Sequence, residues 1–284
     1  MNLAHRAIAL AIATNYPRAS LAFASSSRIK QQLTENMGYF GGRTKTSAST
    51  TEYGCDTPTE LPTFDSSEEY LDYLMKASGL PLGFSTGSAV GSFVPEEAPA
   101  MGSLPIKGTV IHIQDGPTDS WAATFTQNKF PGSPIEVGRK RLSSGNPIQT
   151  IFVNNKVANV CSGGDGVADA EHVCEAVAKT LGLTRKESVL PSSTGVIGWK
   201  LPAKELASDV VPKAVEDLQS ESAFSAARDI MTTDRYPKLR SKTLSNGSRI
   251  VGIAKVTSMT VSAFSEHNPI SQNLLFDTRY REQE

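Results

Sequence analysis

Four short segments carry residues whose types and spacing suit chemistry. Ser193-Thr194-Gly195-Val196-Ile197-Gly198 follows a short apolar stretch. A Ser-Thr-Gly turn after a strand exposes backbone N–H groups, and glycine lets the backbone approach a developing negative charge, as an oxyanion hole requires. The same residues also make an ordinary tight turn. Met231-Thr232-Thr233-Asp234-Arg235-Tyr236-Pro237-Lys238 reads as a helix end or turn whose hydroxyl and carboxylate groups bond nearby backbone. Gly252-Ile253-Ala254-Lys255 closes an apolar strand on a cation suited to a carboxylate, or simply to water. Residues 154–166 (NNKVANVCSGGDG) make a polar, Gly-rich loop.

The elements that must position these segments are legible in part. Residues 108–114 (GTVIHIQ), 121–126 (WAATFT), 149–154 (QTIFVN) and 249–255 (RIVGIAK) read as strands, with Asp115-Gly116-Pro117 as turn chemistry between the first two. Ala170, Val173, Cys174, Val177, Ala178 and Leu181 share one helical face that Gly182 ends, which makes Cys174 a core thiol and leaves His172 off that face. Pro202 suits the first turn of another helix, Pro212 splits or restarts it, and residues 222–231 form a further short helix. Ser66 and Glu69 form a capping box for a helix over residues 66–78, with Tyr70, Leu71, Leu74 and Met75 apolar and Gly79-Leu80-Pro81 as its stop. Around that helix, residues 36–103 are rich in Gly, Ser and Thr and read as a largely disordered linker. The globular domain is expected over residues 104–255. Mixed strands and helices of this kind indicate an α/β or α+β sandwich.

Composition narrows the function classes. The 284 residues have 39% hydrophobic and 20% charged side chains, ordinary for a globular enzyme. With 28 Lys plus Arg against 29 Asp plus Glu there is no basic excess of the kind that marks nucleic-acid binding. Three cysteines and four scattered histidines give neither a disulfide framework nor a metal pattern. No run approaches the roughly 18 apolar residues of a membrane span. Residues 1–35 are nearly free of acid, with Arg6, Arg18, Arg28 and Lys30 among Ala and Ser, as in an organelle transit peptide. The expected destination is the mitochondrial matrix, with the plastid as alternative. Residues 8–14 (IALAIAT) also suit a short secretory h-region.

STGVIG followed by Leu201-Pro202, then MTTD with Pro237-Lys238, then GIAK, resembles the ornithine/glutamate N-acetyltransferase family of arginine biosynthesis. Residues 121–134 (WAATFTQNKFPGSP) look like that family's early strand-turn segment, and the likeness covers residues 108–255. The resemblance implies that family's N-terminal-nucleophile-like α/β (α+β) sandwich, present here in incomplete form. It implies transfer of an acetyl group from N-acetylornithine to glutamate through an acyl-enzyme, with no resident cofactor and with acetyl-CoA as donor in some members. It implies Thr194 and Gly195 as oxyanion donors, and Thr232, Thr233 and Lys255 as substrate-binding residues. It also implies self-cleavage before a threonine, which becomes the nucleophile and the first residue of a second subunit; the hydroxyl is weak until the freed amine serves as its base.

The sequence departs from this pattern after Lys255. Met259 keeps its place, but Ser265 and Glu266 stand where the Ala-Thr cleavage pair is expected, and residues 256–284 read as an atypical tail. Ser265, Glu266 and His267 are adjacent, so they point to different faces of an extended chain and do not assemble a triad. No nucleophile is found. The leading expectation is an acetyltransferase of arginine biosynthesis, incomplete or inactive as written and short of its second subunit. The alternatives are a self-processing N-terminal-nucleophile aminopeptidase, or a non-catalytic remnant that pairs with a partner protein. No membrane or nucleic-acid partner is expected.

Overall fold

A computed structural model describes residues 63–255 except Asn246, and the backbone of two short strands nearer the N-terminus. The expected atypical tail at 256–284 lies outside the described residues, as does the expected linker before residue 63.

One four-stranded sheet organises the domain, in the order β3 (Phe84–Phe93), β4 (Leu104–Ile113), β6 (Thr150–Asn154), β7 (Val189–Ser193). The first two pairings are antiparallel, and β6–β7 is parallel, with Thr150 opposite Val189 and Asn154 opposite Ser193. A parallel pair needs a long crossover. Here it contains the amphipathic helix α3 (Gly166–Thr180), capped by the Asp165 carboxylate, which accepts from the Ala168 N–H at 2.9 Å. Ala170, Val173, Cys174, Val177 and Ala178 are buried along α3, and His172 is exposed, as their spacing requires. Burial pushes the Cys174 thiol up to about 12, so it is a packing group and not a nucleophile.

Both faces of the sheet are covered. On one, Val110 and Phe152 pack with Val173, Val177, Leu206 and Val210. On the other, Ile151, Val153 and Leu190 pack with Trp121, Ile148 and Ile230. All five residues of β6 are therefore buried, which explains its unbroken apolar run. The short β5 (Trp121–Ala123) pairs with β1 (Ile8–Leu10) on one side and β2 (Ala22–Ala24) on the other. A hairpin of β8 (Lys238–Thr243) and β9 (Arg249–Ala254) completes the strands. It packs through Leu239, Val251 and Ile253 on Ala223 and Ala227, beside and within α6 (Phe224–Asp229).

The expected linker does not extend to residue 103. Ser66 caps α1 (Ser67–Ala77) through the Glu69 N–H at 3.1 Å, but the chain then enters β3, an integral strand of the main sheet. Its sequence, FSTGSAVGSF, is poor in strand formers because the surface above it demands small residues. A Cβ at Gly87 would run into the Ala214 carbonyl oxygen and lie 2.9 Å from the Leu218 nitrogen. That crowding comes from α5 (Val211–Glu216), which presses directly on the strand. The outer edge of β3 is covered too: Thr86 and Gln219 exchange backbone hydrogen bonds at 2.9 and 3.0 Å.

Two other elements escape the hydrophobic pattern. α2 (Ser133–Ser143) buries Arg141, whose guanidinium makes a bidentate pair with Glu171 on α3 at 2.8 and 2.9 Å. Burial disfavours both charges, yet the pair holds Arg141 above and Glu171 below their ordinary values. β8 is missed because Lys238, Arg240 and Lys242 interrupt its apolar content. The proline expected to split a helix does so through a specific device. A three-residue helix, α4 (Ala203–Glu205), widens into a π turn at Leu206–Val210 immediately before Pro212 in α5, which lacks an N–H and crowds the preceding turn.

Gly87→Ala tests the tight packing of α5 on β3. It lowers unfolding free energy by about 1–3 kcal/mol through overpacking. The measurement is the denaturant midpoint; a midpoint equal to wild type contradicts the close approach.

Candidate active site

The parallel strands β6 and β7 end side by side, and both run into the segments singled out for their chemistry. Their pairing continues past the regular strands. The Thr194 N–H donates to the Asn154 carbonyl at 3.0 Å, Val196 to Lys156 at 2.9 Å, Ala158 to Val196 at 2.9 Å, and Gly198 to Val160 at 2.9 Å. The 154–166 loop and the STGVIG turn thus form one irregular ribbon. Lys156, Asn159 and Cys161 all adopt positive φ within it, a conformation that non-glycine residues hold only when surrounding contacts enforce it.

The geometry assigns the two halves of the turn different roles. With its N–H committed to Asn154, Thr194 can offer only its half-buried hydroxyl as a donor. Gly195 sits at φ 138°, and a Cβ there would run into the Lys156 carbonyl and lie 2.7 Å from the Val157 nitrogen. Glycine is therefore required. The Gly195 N–H meets no acceptor among the described residues. A hydroxyl and an adjacent unspent N–H form the donor pair that oxyanion stabilisation uses.

Two amides that the sequence reading placed only at a strand end and within a polar, Gly-rich loop tie these segments together. The Ser193 hydroxyl donates to Asn154 Oδ1 at 2.6 Å, and Asn154 Nδ2 donates to the Val157 carbonyl at 2.9 Å. Asn155 Oδ1 accepts from the Lys107 N–H at 2.9 Å, and its Nδ2 donates to the Asp229 and Met231 carbonyls, each at 3.0 Å. Asn154 grips the STGVIG turn while Asn155 grips the start of MTTD. Their signal was available: two amides in succession close an otherwise apolar strand, and neighbouring strand residues face opposite ways.

Beyond Met231, Thr232 and Thr233 are exposed, and the Thr232 N–H donates to Asp234 Oδ2 at 3.2 Å. The same oxygen lies 2.7 Å from Lys255 Nζ, while Asp234 Oδ1 takes Lys238 Nζ at 2.6 Å. The Asp234 side chain is 1% exposed and that of Lys255 13%. Lys255 is thus paired with a carboxylate of its own chain. Burial disfavours the Asp234 charge, but Lys238, Lys255 and the Thr232 N–H outweigh it and hold the carboxyl below its ordinary value. Asp229 is likewise held down, against burial, by Arg228 and Lys107.

Hydrogen bonds, one ion pair and the peptide links Asn154–Asn155 and Met231–Thr232 together connect Thr194 to Asp234 and Lys255. A cleft of about 520 Å³ beside Phe130, Ser133, Cys161 and Asp165 is lined by none of Thr194, Gly195, Thr232, Thr233 or Lys255. Among the described residues no cluster of His, Cys, Asp and Glu could hold a metal, and no helix is long and apolar enough to cross a membrane.

The model of the ArgJ family matches residues 105–264, more than half of the chain. This chain belongs to the ArgJ family. The Arginine biosynthesis bifunctional protein ArgJ of Methylococcus capsulatus is 40% identical over 153 residues, 53% of this chain and 36% of that relative. The protein of the same name from Nitratidesulfovibrio vulgaris is 31% identical over 185 residues, 64% of this chain and 44% of the relative. The chain thus spans less than half the length of these ArgJ relatives. Among solved structures, ornithine acetyltransferase complexed with ornithine from Mycobacterium tuberculosis superposes with a TM-score of 0.55 at 28% identity, over 65% of this chain and 95% of that one. ArgJ from Bacillus halodurans gives a TM-score of 0.51 at 26% identity, over 65% and 93%. The α/β sandwich is therefore the ornithine acetyltransferase fold.

The two depressed carboxyls give this ArgJ domain a defined acid response. Asp229 and Asp234 release their protons below the ordinary 3.8 in the folded chain, so the unfolded chain takes up protons first as pH falls. Stability from these pairs is complete above about pH 5 and is lost as pH falls through 3.8 toward the folded values. Asp234→Asn has a lower denaturant midpoint at pH 7 and a shallower decline between pH 5 and about 3 than wild type. Parallel declines would show that Asp234 titrates as it does in the unfolded chain.

Proposed function

We propose that this domain supplies the oxyanion hole and the substrate-carboxylate site of an acyltransferase that moves acetyl from N-acetylornithine to glutamate. The observation that carries this reading is the Thr194 hydroxyl beside the unspent Gly195 N–H, fixed on the ribbon between β6 and β7. A nucleophilic hydroxyl attacks the acetyl carbonyl, and the oxygen that gains charge takes hydrogen bonds from Thr194 and Gly195. Collapse breaks the amide C–N bond, and the departing ornithine amine carries off the nucleophile's proton. The glutamate amine then attacks the acyl-enzyme and restores the hydroxyl. Lys255, with Thr232 and Thr233, holds the substrates' carboxylates in this reading. Acetyl-CoA is an alternative donor.

The described residues contain no assigned nucleophile. In the family this chain resembles, that group is a threonine freed by self-cleavage, and no Ala-Thr pair follows Met259. We propose that residues 256–284 do not self-cleave and that a second subunit brings the nucleophile. The coverage figures support a separate second subunit: the match takes up 36% and 44% of the two ArgJ relatives, yet 95% and 93% of the matched chains in the solved structures. Localisation to the mitochondrial matrix, or alternatively the plastid, is proposed from the acid-poor, basic character of residues 1–35.

Acetyl transfer is measured with the full chain alone and co-expressed with the C-terminal portion of the Methylococcus relative. Turnover is expected only in the second arm, and Thr194→Val lowers kcat there by about a hundredfold or more, the usual cost of losing an oxyanion donor. No turnover in either arm favours the non-catalytic reading. Turnover with two fragments from the chain alone refutes the missing-nucleophile proposal. Residues 1–35 fused to a fluorescent reporter direct it to mitochondria; diffuse cytosolic signal removes the leader assignment.

A further inference from the structure

We propose that Tyr236, held from outside by helix α1, is a positioning residue for the Thr232–Thr233 substrate-carboxylate site; this deepens the acyltransferase reading and rests on it. Tyr236 follows Thr233 by three residues in the MTTD segment. Between residues 231 and 237 the chain forms no helix or strand, so its shape depends on contacts with other elements. From the inside, Asn155 holds the Met231 carbonyl, and the buried Asp234 carboxylate takes Lys238 and Lys255. From the outside, the Tyr236 hydroxyl lies 2.7 Å from Ser67 Oγ. The Tyr236 ring meets the Tyr70 ring edge to face, with centroids 5.6 Å apart and planes at 88°. Ser67 and Tyr70 are three residues apart on α1 and therefore neighbours on one helix face, so together they grip both the hydroxyl and the ring of one phenol.

The helix is fixed at its far end by other means. Leu74 is fully buried, and the Ala77 carbonyl accepts from Ser241 Oγ on β8 and from Arg249 Nη2 on β9. The Ser78 carbonyl accepts from the Ala223 N–H at 2.7 Å. These contacts dock α1 without any help from Tyr236. The Tyr236 contacts lie at the opposite end of α1 and near the surface, where one hydroxyl pair and one aromatic pair add little to global stability. Their effect is local, because they close a loop whose Thr232 and Thr233 side chains are exposed. In the acyltransferase reading those hydroxyls meet the α-carboxylate that N-acetylornithine and glutamate share. A loop already held in its binding shape avoids an ordering cost when the substrate arrives. α1 precedes residues 105–264, the part that the ArgJ model matches, so the clamp comes from chain outside that match.

The test uses the full chain with Tyr70→Ala and with Tyr70→Phe, which keeps the ring; unfolding midpoints check folding. The first readout is hydrogen–deuterium exchange, which needs no turnover. In Tyr70→Ala the amides of residues 231–237 exchange about two- to tenfold faster, the range that one aromatic pair is worth, while those of α3 are unchanged. Tyr70→Phe exchanges like wild type. The second readout is steady-state kinetics in the two-subunit assay. Tyr70→Ala raises KM for both amino acids by about the same two- to tenfold and leaves kcat at the wild-type value, the pattern of lost uniform binding. Tyr70→Phe restores KM. Should Tyr70→Ala fail to fold, Ser67→Ala carries both readouts, with a smaller effect in the same direction. Equal exchange of residues 231–237 in wild type and the folded variant overturns the proposal. So does faster exchange spread equally over α3, a fall in kcat at unchanged KM, or failure of Tyr70→Phe to restore either readout. A wild type that stays inactive with the second subunit rejects the acyltransferase reading, and exchange alone then decides whether α1 holds the loop.

Discussion

Two neighbouring amide side chains at the carboxyl end of β6, Asn154 and Asn155, join segments that are remote in sequence. Asn154 meets Ser193 across 39 residues, and Asn155 meets Asp229 and Met231 across 74 and 76. Each bond is short and buried or nearly so, and an unpaired amide there would cost its full desolvation. These bonds brace the start of the polar loop after β6, which contains three non-glycine residues at positive φ. The strain of those residues is held by bonds on both sides, to the STGVIG turn and to the 229–231 segment.

The amides are effective because the strand that carries them cannot shift. β6 is central in the sheet, buried on both faces and hydrogen-bonded to β4 and β7. A one-residue slip would exchange Phe152 with Ile151 and Val153 between two unlike cores. It would also swap the directions of Asn154 and Asn155. The register that satisfies the cores therefore also aims the amides.

Two of the buried ion pairs do different work. Arg141 and Glu171 fasten α2 to α3 with a complete bidentate pair, a structural use that leaves no donor directed at solvent-borne substrate. Asp234 instead gathers Lys238, which opens β8, and Lys255, which follows β9, and both lysines keep partial exposure. Both carboxylates stay ionised because their partners outweigh burial, but only the second lies on the chain of contacts that leads to Thr194.

The sequence by itself determined the order of the chemical segments, the amphipathic α3, the capped α1 and the central strands, because each follows from local periodicity or from a short cap. The likeness carried by STGVIG, MTTD and GIAK likewise depends only on the order of residues, and the family match agrees with it. Tertiary structure alone decided the rest. β3 looked like linker because its Gly and Ser answer to α5 pressing from 120 or so residues away, not to strand propensity. α2 was hidden because its largest buried side chain is an arginine, whose partner lies 30 residues on. Thr194 lost its N–H to a β-type pairing and kept its hydroxyl, and Lys255 acquired a carboxylate of its own chain. Those outcomes depend on which groups meet in space, and hydrogen bonds between distant segments leave no periodic trace in the sequence.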